Sequence, residues 1–187
     1  MKIIIDAMGG DHAPQATVEG AVLAAEKYGC NIVLVGKQEE IDPILAGRCP
    51  DKITVRHASE VITMEDKYST ALRTKKDSSM TVGLNLLGKG EGDVLISAGS
   101  TGALLAGATL LVKRIKGIRR AAMGPMVPVY GGRAILCDCG ANADCTPEYL
   151  LQFAYLGSYY VKRVCGVENP RVGLLNIGAE ESKGDTL

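Results

Sequence analysis

Tryptophan is absent from these 187 residues, phenylalanine occurs once, and aromatic side chains make up only 4% of the chain. With 47% hydrophobic residues, the core this composition can build is aliphatic, as in α/β proteins. An excess of charge is also missing: Lys+Arg and Asp+Glu stand at 21 each, which removes the electrostatic footprint of a nucleic-acid or general polyanion binder. No long hydrophobic run exists. The most extended uncharged apolar stretch, Ala103 to Val112, falls well short of the roughly 20 residues that cross a bilayer. Met1-Lys2 leads straight into an apolar segment with no signal-peptide pattern, so a cytoplasmic protein is expected.

Paired CxxC spacing is lacking too. Six cysteines are present (Cys30, Cys49, Cys137, Cys139, Cys145, Cys165), but no disulfide framework is visible for a chain of this size. Cys137-x-Cys139 with Cys145 invites a metal reading, yet no neighbouring His completes a zinc set, and neither metal nor cofactor is expected. The first turn has no G-x-G-x-x-G dinucleotide fingerprint. The segment Gly178 to Gly184 ends Lys183-Gly184-Asp185, where a P-loop needs Gly-Lys-Ser/Thr.

What is present centres on Val94 to Leu111. Val94 to Ser97 reads as a buried strand, Ala98-Gly99-Ser100-Thr101-Gly102 as a tight turn, and the remainder as a helix. Two glycines allow close backbone approach, and a helix N-terminus offers N–H donors and a positive dipole end to an anion. Ser100 or Thr101 serves equally as an ordinary N-cap.

Upstream, Lys2 to Asp6 forms a short strand, and Pro14 opens a helix whose face is Val18, Ala21, Val22 and Ala25, stopped by Gly29. Asn31 to Gly36 is a second strand, Glu39 to Ala46 a weaker helix, and Lys52 to Ala58 a third strand. This alternation of Val/Ile/Leu runs with helices argues for a parallel sheet wrapped by helices. Ligands of such sheets sit at the C-terminal strand ends, which makes Asp6, Gly9, Gly10, Asp11 and His12 candidates. His12 beside a carboxylate acts as acid or base, or as a structural residue. Glu60 to Ser69 reads as a loop or lid, followed by the basic trio Arg73, Lys75 and Lys76. Asp77 then caps a helix carrying Met80, Val82, Leu84 and Leu87.

Downstream, Lys113, Arg114, Lys116, Arg119 and Arg120 form a basic run, either a helix C-terminus favoured by its dipole or a docking patch for an acidic partner. Ala121 to Tyr130 and Arg133 to Cys139 read as strands joined by Gly131-Gly132, with Asp138, Asn142 and Asp144 at the end of the second. Thr146 and Pro147 open a helix with the face Leu150, Phe153, Ala154, Gly157, Val161 and Val164. Arg171 to Gly178 is a last strand.

Read together, these segments resemble the bacterial phosphate acyltransferases of phospholipid synthesis, the PlsX family. The resemblance is carried by Asp6-Ala-Met-Gly-Gly-Asp-His-Ala-Pro14, Ala71-Leu-Arg with Lys76-Asp-Ser-Ser-Met80, and Ser97-Ala-Gly-Ser-Thr-Gly-Ala-Leu104. It continues through Gly140-Ala-Asn with Asp144-Cys, Leu151-Gln-Phe-Ala154, and Val172-Gly-Leu-Leu-Asn-Ile-Gly-Ala-Glu180 with Lys183-Gly184. Ser100 stands where the family usually has Asn, and family members continue beyond Leu187, so a truncated or proteolysed form is expected.

The fold class implied is α/β: a Rossmann-like three-layer α/β/α arrangement with a mostly parallel sheet, its C-terminal part missing. Residues 1–187 would form a single domain, the N-terminal portion of a longer one. The activity implied is transfer of a long-chain fatty acyl group from acyl carrier protein to inorganic phosphate, giving an acyl phosphate for phospholipid synthesis. The expected catalytic residues are Lys183, His12, Asp6 and Asn142. Gly9, Gly10, Asp11, Ser97, Gly99, Ser100, Thr101, Gly102 and Asp144 would bind substrate or phosphate. The basic run from Lys113 to Arg120 becomes a docking surface for the acidic carrier. A homodimer is implied, with peripheral membrane association alongside the downstream glycerol-phosphate acyltransferase, and no nucleic-acid partner. Two alternatives stay open: a phosphotransacetylase-like enzyme using a small thioester, and a non-enzymatic anion-binding module.

Overall fold

The computed structural model describes residues 1–142, 144–176 and 178. The chain divides into two compact units, Met1–Lys113 and the part from Arg114 onward.

The first unit is a parallel sheet between helices. Its strands are β1 (Lys2–Asp6), β2 (Asn31–Gly36), β3 (Ile53–His57) and β4 (Val94–Ile96), in the order β3-β2-β1-β4. Every pairing is parallel, with Ile4 opposite Val33 on one side and Leu95 on the other. Alternation along each strand sends successive side chains to opposite faces. Ile32 and Leu34 therefore join a core with Val18, Ala21, Val22 and Ala25 of α1 (Gln15–Tyr28) and Ile41 of α2 (Gln38–Leu45). Ile4, Val33 and Val35 face the other way, against Leu86 of α4 (Ser79–Gly88). Because β2 is apolar on both faces, its near-continuous Ile-Val-Leu-Val run is what a buried parallel strand requires. Full burial of a side chain such as Leu34 stabilises by about 1.5–3 kcal/mol.

A third cluster joins Ile62, Ala71, Met80, Leu84 and Ala103. It packs α3 (Tyr68–Thr74) and α4 against α5 (Thr101–Gly107), whose last turns continue with a wider π-type winding through Ala108–Val112. The expected loop from Glu60 to Ser69 thus gives way to helix α3 at Tyr68. The cap of α4 also differs from expectation. Asp77 spends its carboxylate on the N–H and hydroxyl of Ser59 (2.9 and 2.6 Å), so the Ser78 hydroxyl accepts from the Thr81 N–H instead. Helix α1 begins one residue late, with Pro14 in the cap position.

In the second unit, β5 (Met126–Val129) and β6 (Gly132–Ile135) form an antiparallel hairpin turning at Tyr130-Gly131. Both strands are shorter than expected, and Cys137 and Cys139 lie beyond β6 rather than on a buried strand. Helix α6 (Pro147–Cys165) is capped by the Thr146 hydroxyl, which accepts from the Tyr149 N–H. Phe153 and Gly157 are its buried positions, and Gly157 lets the helix approach Ile135. Val164, expected on the same face, is exposed. The expected strand from Arg171 is not formed over residues 171–176; Val172, Leu174 and Leu175 are exposed there, and an apolar run without a neighbouring strand has no ladder to join.

Candidate functional site

Two loops meet where β1 and β4 end. The first leaves Asp6 and runs through Met8, Gly9, Gly10, Asp11 and His12; the second leaves Ile96 and runs to Ser100, the N-cap of α5. Asp6 holds them together from below. It is 2% exposed, and its Oδ2 accepts a 2.7 Å hydrogen bond from the Ser97 hydroxyl. Its Oδ1 accepts from the Met8 N–H at 3.3 Å, and Ser97 Oγ accepts from the Gly99 N–H at 3.1 Å. The stitch is possible because Gly9 carries no side chain. A Cβ there would stand 2.5 Å from Asp6 Oδ2, 2.9 Å from Gly99 N and 3.0 Å from Ser97 Oγ.

Above the stitch lies a cavity of about 570 Å³. Its floor is Gly9, Gly10, Asp11 and His12 from the first loop, with Ala98, Gly99 and Ser100 from the second. The segment Val61, Ile62, Thr63 and Met64 forms another wall of it. The floor is polar and backbone-rich, whereas the wall and Met8 are mostly apolar. Six expected site residues therefore share one cavity: Gly9, Gly10, Asp11, His12, Gly99 and Ser100. Ser100 caps α5 by accepting from the Ala103 N–H at 3.4 Å, so its hydroxyl serves the helix. Gly99 has its own N–H committed to Ser97, so what it offers the cavity is close approach rather than that donor.

The other expected residues fall elsewhere. Asp6 and Ser97 support the loops from beneath and do not line the cavity. Thr101 is the exposed first residue of α5 and is also not part of the lining. Gly102 lies against the Tyr68 ring, 3.2 Å from where a Cβ would stand. In the second unit, Asn142 donates its side-chain amide to Ala121 O (3.0 Å) and to Asp138 Oδ2 (3.2 Å). Asp138 is the centre of that loop. It accepts from the N–H groups of Met123 (2.7 Å), Ala141 (3.0 Å) and Asn142 (2.7 Å). Asp144 is exposed. Lys183 lies outside the described residues.

Burial and then the Asp138 charge push the Cys137 thiol up, so it stays protonated at neutral pH and makes a poor nucleophile. Among the described residues, no group of three His, Cys, Asp or Glu side chains is placed to hold a metal ion, and no helix is long and apolar enough to cross a membrane.

Of the basic run, Lys113, Arg114 and Lys116 are exposed. Arg119 pairs with Glu148 (3.0 Å), and its N–H bonds to Gln152 Oε1 (2.8 Å). Arg120 stacks over the Tyr149 ring. The basic trio divides as well: Lys75 is taken up by Asp66 and by Val61 O.

Parallel α/β proteins with loops gathered at the C-terminal strand ends form a broad class whose ligand sites lie there. Within that class, residues 1–187 match the model of the fatty acid synthesis protein family, and the chain belongs to that family. It is 51% identical over 189 residues to a phosphate acyltransferase of Alkaliphilus oremlandii, covering all of this chain and 56% of that protein. With a phosphate acyltransferase of Desulfitobacterium hafniense the identity is 47% over 188 residues, again across the whole chain and 56% of the relative. The chain thus spans a little over half the length of these relatives. Among solved structures, a phosphotransacetylase from Streptococcus pyogenes superposes with a TM-score of 0.66 at 18% identity, over 89% of this chain and 55% of that one. At that identity the likeness shows a shared α/β fold.

Proposed function

We propose that this protein contributes to an acyltransferase that moves a long-chain fatty acyl group from acyl carrier protein to inorganic phosphate, giving an acyl phosphate for phospholipid synthesis. The observation that carries the reading is the cavity at the ends of β1 and β4, whose lining combines the glycine-rich loops Gly9 to His12 and Gly99-Ser100 with the apolar side chains of Val61, Ile62 and Met64. Membership of the family and the names of its curated relatives support it.

In this reading phosphate lies on the floor formed by Gly9 to His12 and by Gly99 and Ser100. A phosphate oxygen attacks the thioester carbonyl carbon, and charge builds on the carbonyl oxygen of a tetrahedral intermediate. The C–S bond then breaks, and the carrier leaves as a thiolate that takes up a proton. Catalysis here is positioning plus charge stabilisation and needs no covalent enzyme intermediate. His12 orients the phosphate, with Asp11 beside it. Asp6 and Ser97 act from below, by holding both loops in register. Lys183 stabilises the developing negative charge, and Asp144 orients the carrier's pantetheine arm, with Asn142 shaping that loop through Asp138 and Ala121. Lys113, Arg114 and Lys116 attract the acidic carrier. A cytoplasmic homodimer in peripheral contact with the membrane, close to the glycerol-phosphate acyltransferase that consumes the product, completes the proposal.

The test is phosphate-dependent acyl phosphate formation from long-chain acyl carrier protein, on this chain and on the chain continued through the length of its relatives. Acetyl-coenzyme A runs in parallel as a small thioester. Turnover of the carrier thioester that is lost in Lys183→Met supports the reading. Preference for acetyl-coenzyme A, or phosphate binding with no turnover in either length, overturns it.

A further inference from the structure

The wall of the cavity is held by one ion pair that lies outside the lining. Lys75 Nζ donates to Asp66 Oδ2 at 2.6 Å and to Val61 O at 2.8 Å. The same Asp66 oxygen accepts from the Thr63 N–H at 2.7 Å and from the Thr63 hydroxyl at 3.1 Å. The pair therefore grips the wall on both sides of Ile62, whose side chain is sunk in the core with Ala71, Met80 and Ala103. Ile62 fixes the depth of the wall, and the ion pair fixes the backbone that presents Val61 and Met64 to the cavity.

The anchor of the ammonium is itself rigid. The Lys75 N–H closes α3 on Ala71 O (2.8 Å), and its carbonyl accepts from the Thr81 hydroxyl of α4 (3.2 Å). The neighbouring Asp77 holds the start of the wall through Ser59, and its backbone bonds with Glu60 at 3.1 Å. Both side chains of the pair are largely shielded, at 30% exposure for Lys75 and 24% for Asp66. Such a pair holds its geometry better than one on the open surface.

We infer that Lys75 is a positioning residue: with Asp66 it sets the shape of the Val61–Met64 wall and thereby the affinity for the acyl thioester, while phosphate binds the floor independently of it. The identity of the two ligands rests on the function proposed above; the grip on the wall does not. Lys75 thus acts through the wall and is not a counter-ion for phosphate, although its charge and its place beside Lys76 suggest one.

The experiment compares Lys75→Met, Lys75→Arg and Asp66→Asn with the parent in the full-length protein. It measures KM for long-chain acyl carrier protein, KM for inorganic phosphate, and amide hydrogen exchange across residues 61–66. Lys75→Met keeps the stem and removes the donor, so the expected result is a rise of about tenfold in KM for the thioester, with phosphate KM within about twofold and faster exchange at Thr63. Asp66→Asn reproduces the pattern, the double variant adds little to either single change, and Lys75→Arg restores part of the thioester affinity. A rise in phosphate KM equal to or above that for the thioester overturns the assignment, as does unaltered exchange at Thr63. A parent protein that makes no acyl phosphate refutes the acyl-transfer reading and with it the substrate split. Exchange at Thr63 then decides the grip by itself, and an unaccelerated amide sinks it.

Discussion

Replacing Gly9 by alanine adds one methyl group at the tightest point of the site. The new Cβ would stand 2.5 Å from Asp6 Oδ2, 2.9 Å from Gly99 N and 3.0 Å from Ser97 Oγ, all inside ordinary contact distance. None of these neighbours is a flexible chain end. Asp6 is buried and doubly bonded into the loops, and Gly99 N is backbone. Gly9 is not among the positive-φ residues, so the cost is steric and not conformational. Overpacking of this kind costs about 1–3 kcal/mol, and losing the Asp6–Ser97 hydrogen bond adds about 1 kcal/mol. The sum of roughly 2–4 kcal/mol lowers Tm by about 4–16 °C in a protein of this size. Gly20→Ala is the matched control: Gly20 lies within α1 with nothing within 4 Å of the added methyl, so helix propensity should stabilise by about 0.5–1 kcal/mol. Thermal unfolding followed by circular dichroism compares the two, with phosphate titrated by calorimetry. If Gly9→Ala melts with the parent and binds phosphate as well, the idea that Asp6 and Ser97 clamp two loops under the cavity is wrong.

Three further outcomes are expected. The hydrogen bond from Lys75, followed by those from Thr63, holds the Asp66 carboxyl below the usual carboxylate range. Its stabilising contribution is then fully present above the ordinary value of about 3.9 and is lost only as pH falls through the lowered folded value, so a titration read at the Thr63 amide resonance has its midpoint below 3.9 and moves upward in Lys75→Met. Reversing the charges of Lys113, Arg114 and Lys116 should raise KM for the acidic carrier more than it lowers kcat, and the difference should fade as salt is added; an unchanged KM removes the docking role. Phe153→Ala removes the chain's one phenylalanine from a site 1% exposed and should cost about 3–5 kcal/mol, readable as a shifted denaturant midpoint.

Much of the first unit could be read directly from the residues, because continuous Ile/Val/Leu runs leave few alternatives to parallel strands; burial was not legible for Val94 to Ser97, since β4 is the sheet's edge and Val94 and Ile96 are exposed. The face of α1 was legible for the same reason, all four expected residues being buried. Helix α3 was not. Seven residues, Tyr-Ser-Thr-Ala-Leu-Arg-Thr, are too few to show a period, and the helix exists because Ala71 and Leu72 meet the core between α4 and α5. The cap of α4 was ambiguous in principle. Asp77 and Ser78 are adjacent and equally suited, and only the through-space claim of Ser59 on Asp77 decides between them. At the candidate site, residue types pointed to two loops that the structure brings together at the ends of β1 and β4, but not to each residue's place within them. An Asp and a Ser at strand ends look like ligands, yet Asp6 and Ser97 bond to each other across 91 positions of sequence. Likewise Asn142 closes its own loop on Asp138 and Ala121, a partnership that no local pattern announces.

That 91-residue separation also bears on how the protein comes into being. During synthesis Asp6 is made 91 residues ahead of Ser97, at about 5–20 residues per second a lead of roughly 5–20 s. Strands β1 to β3 can pair in that interval, but β4 joins at the outer edge of β1 only once the helices between have been made. Contacts so distant along the chain are entropically the last to be rewarded. The polar floor is therefore a late product of folding. Until β4 arrives, the nascent chain carries an unpaired strand edge at β1, and with it a need for protection that the finished sheet no longer has there.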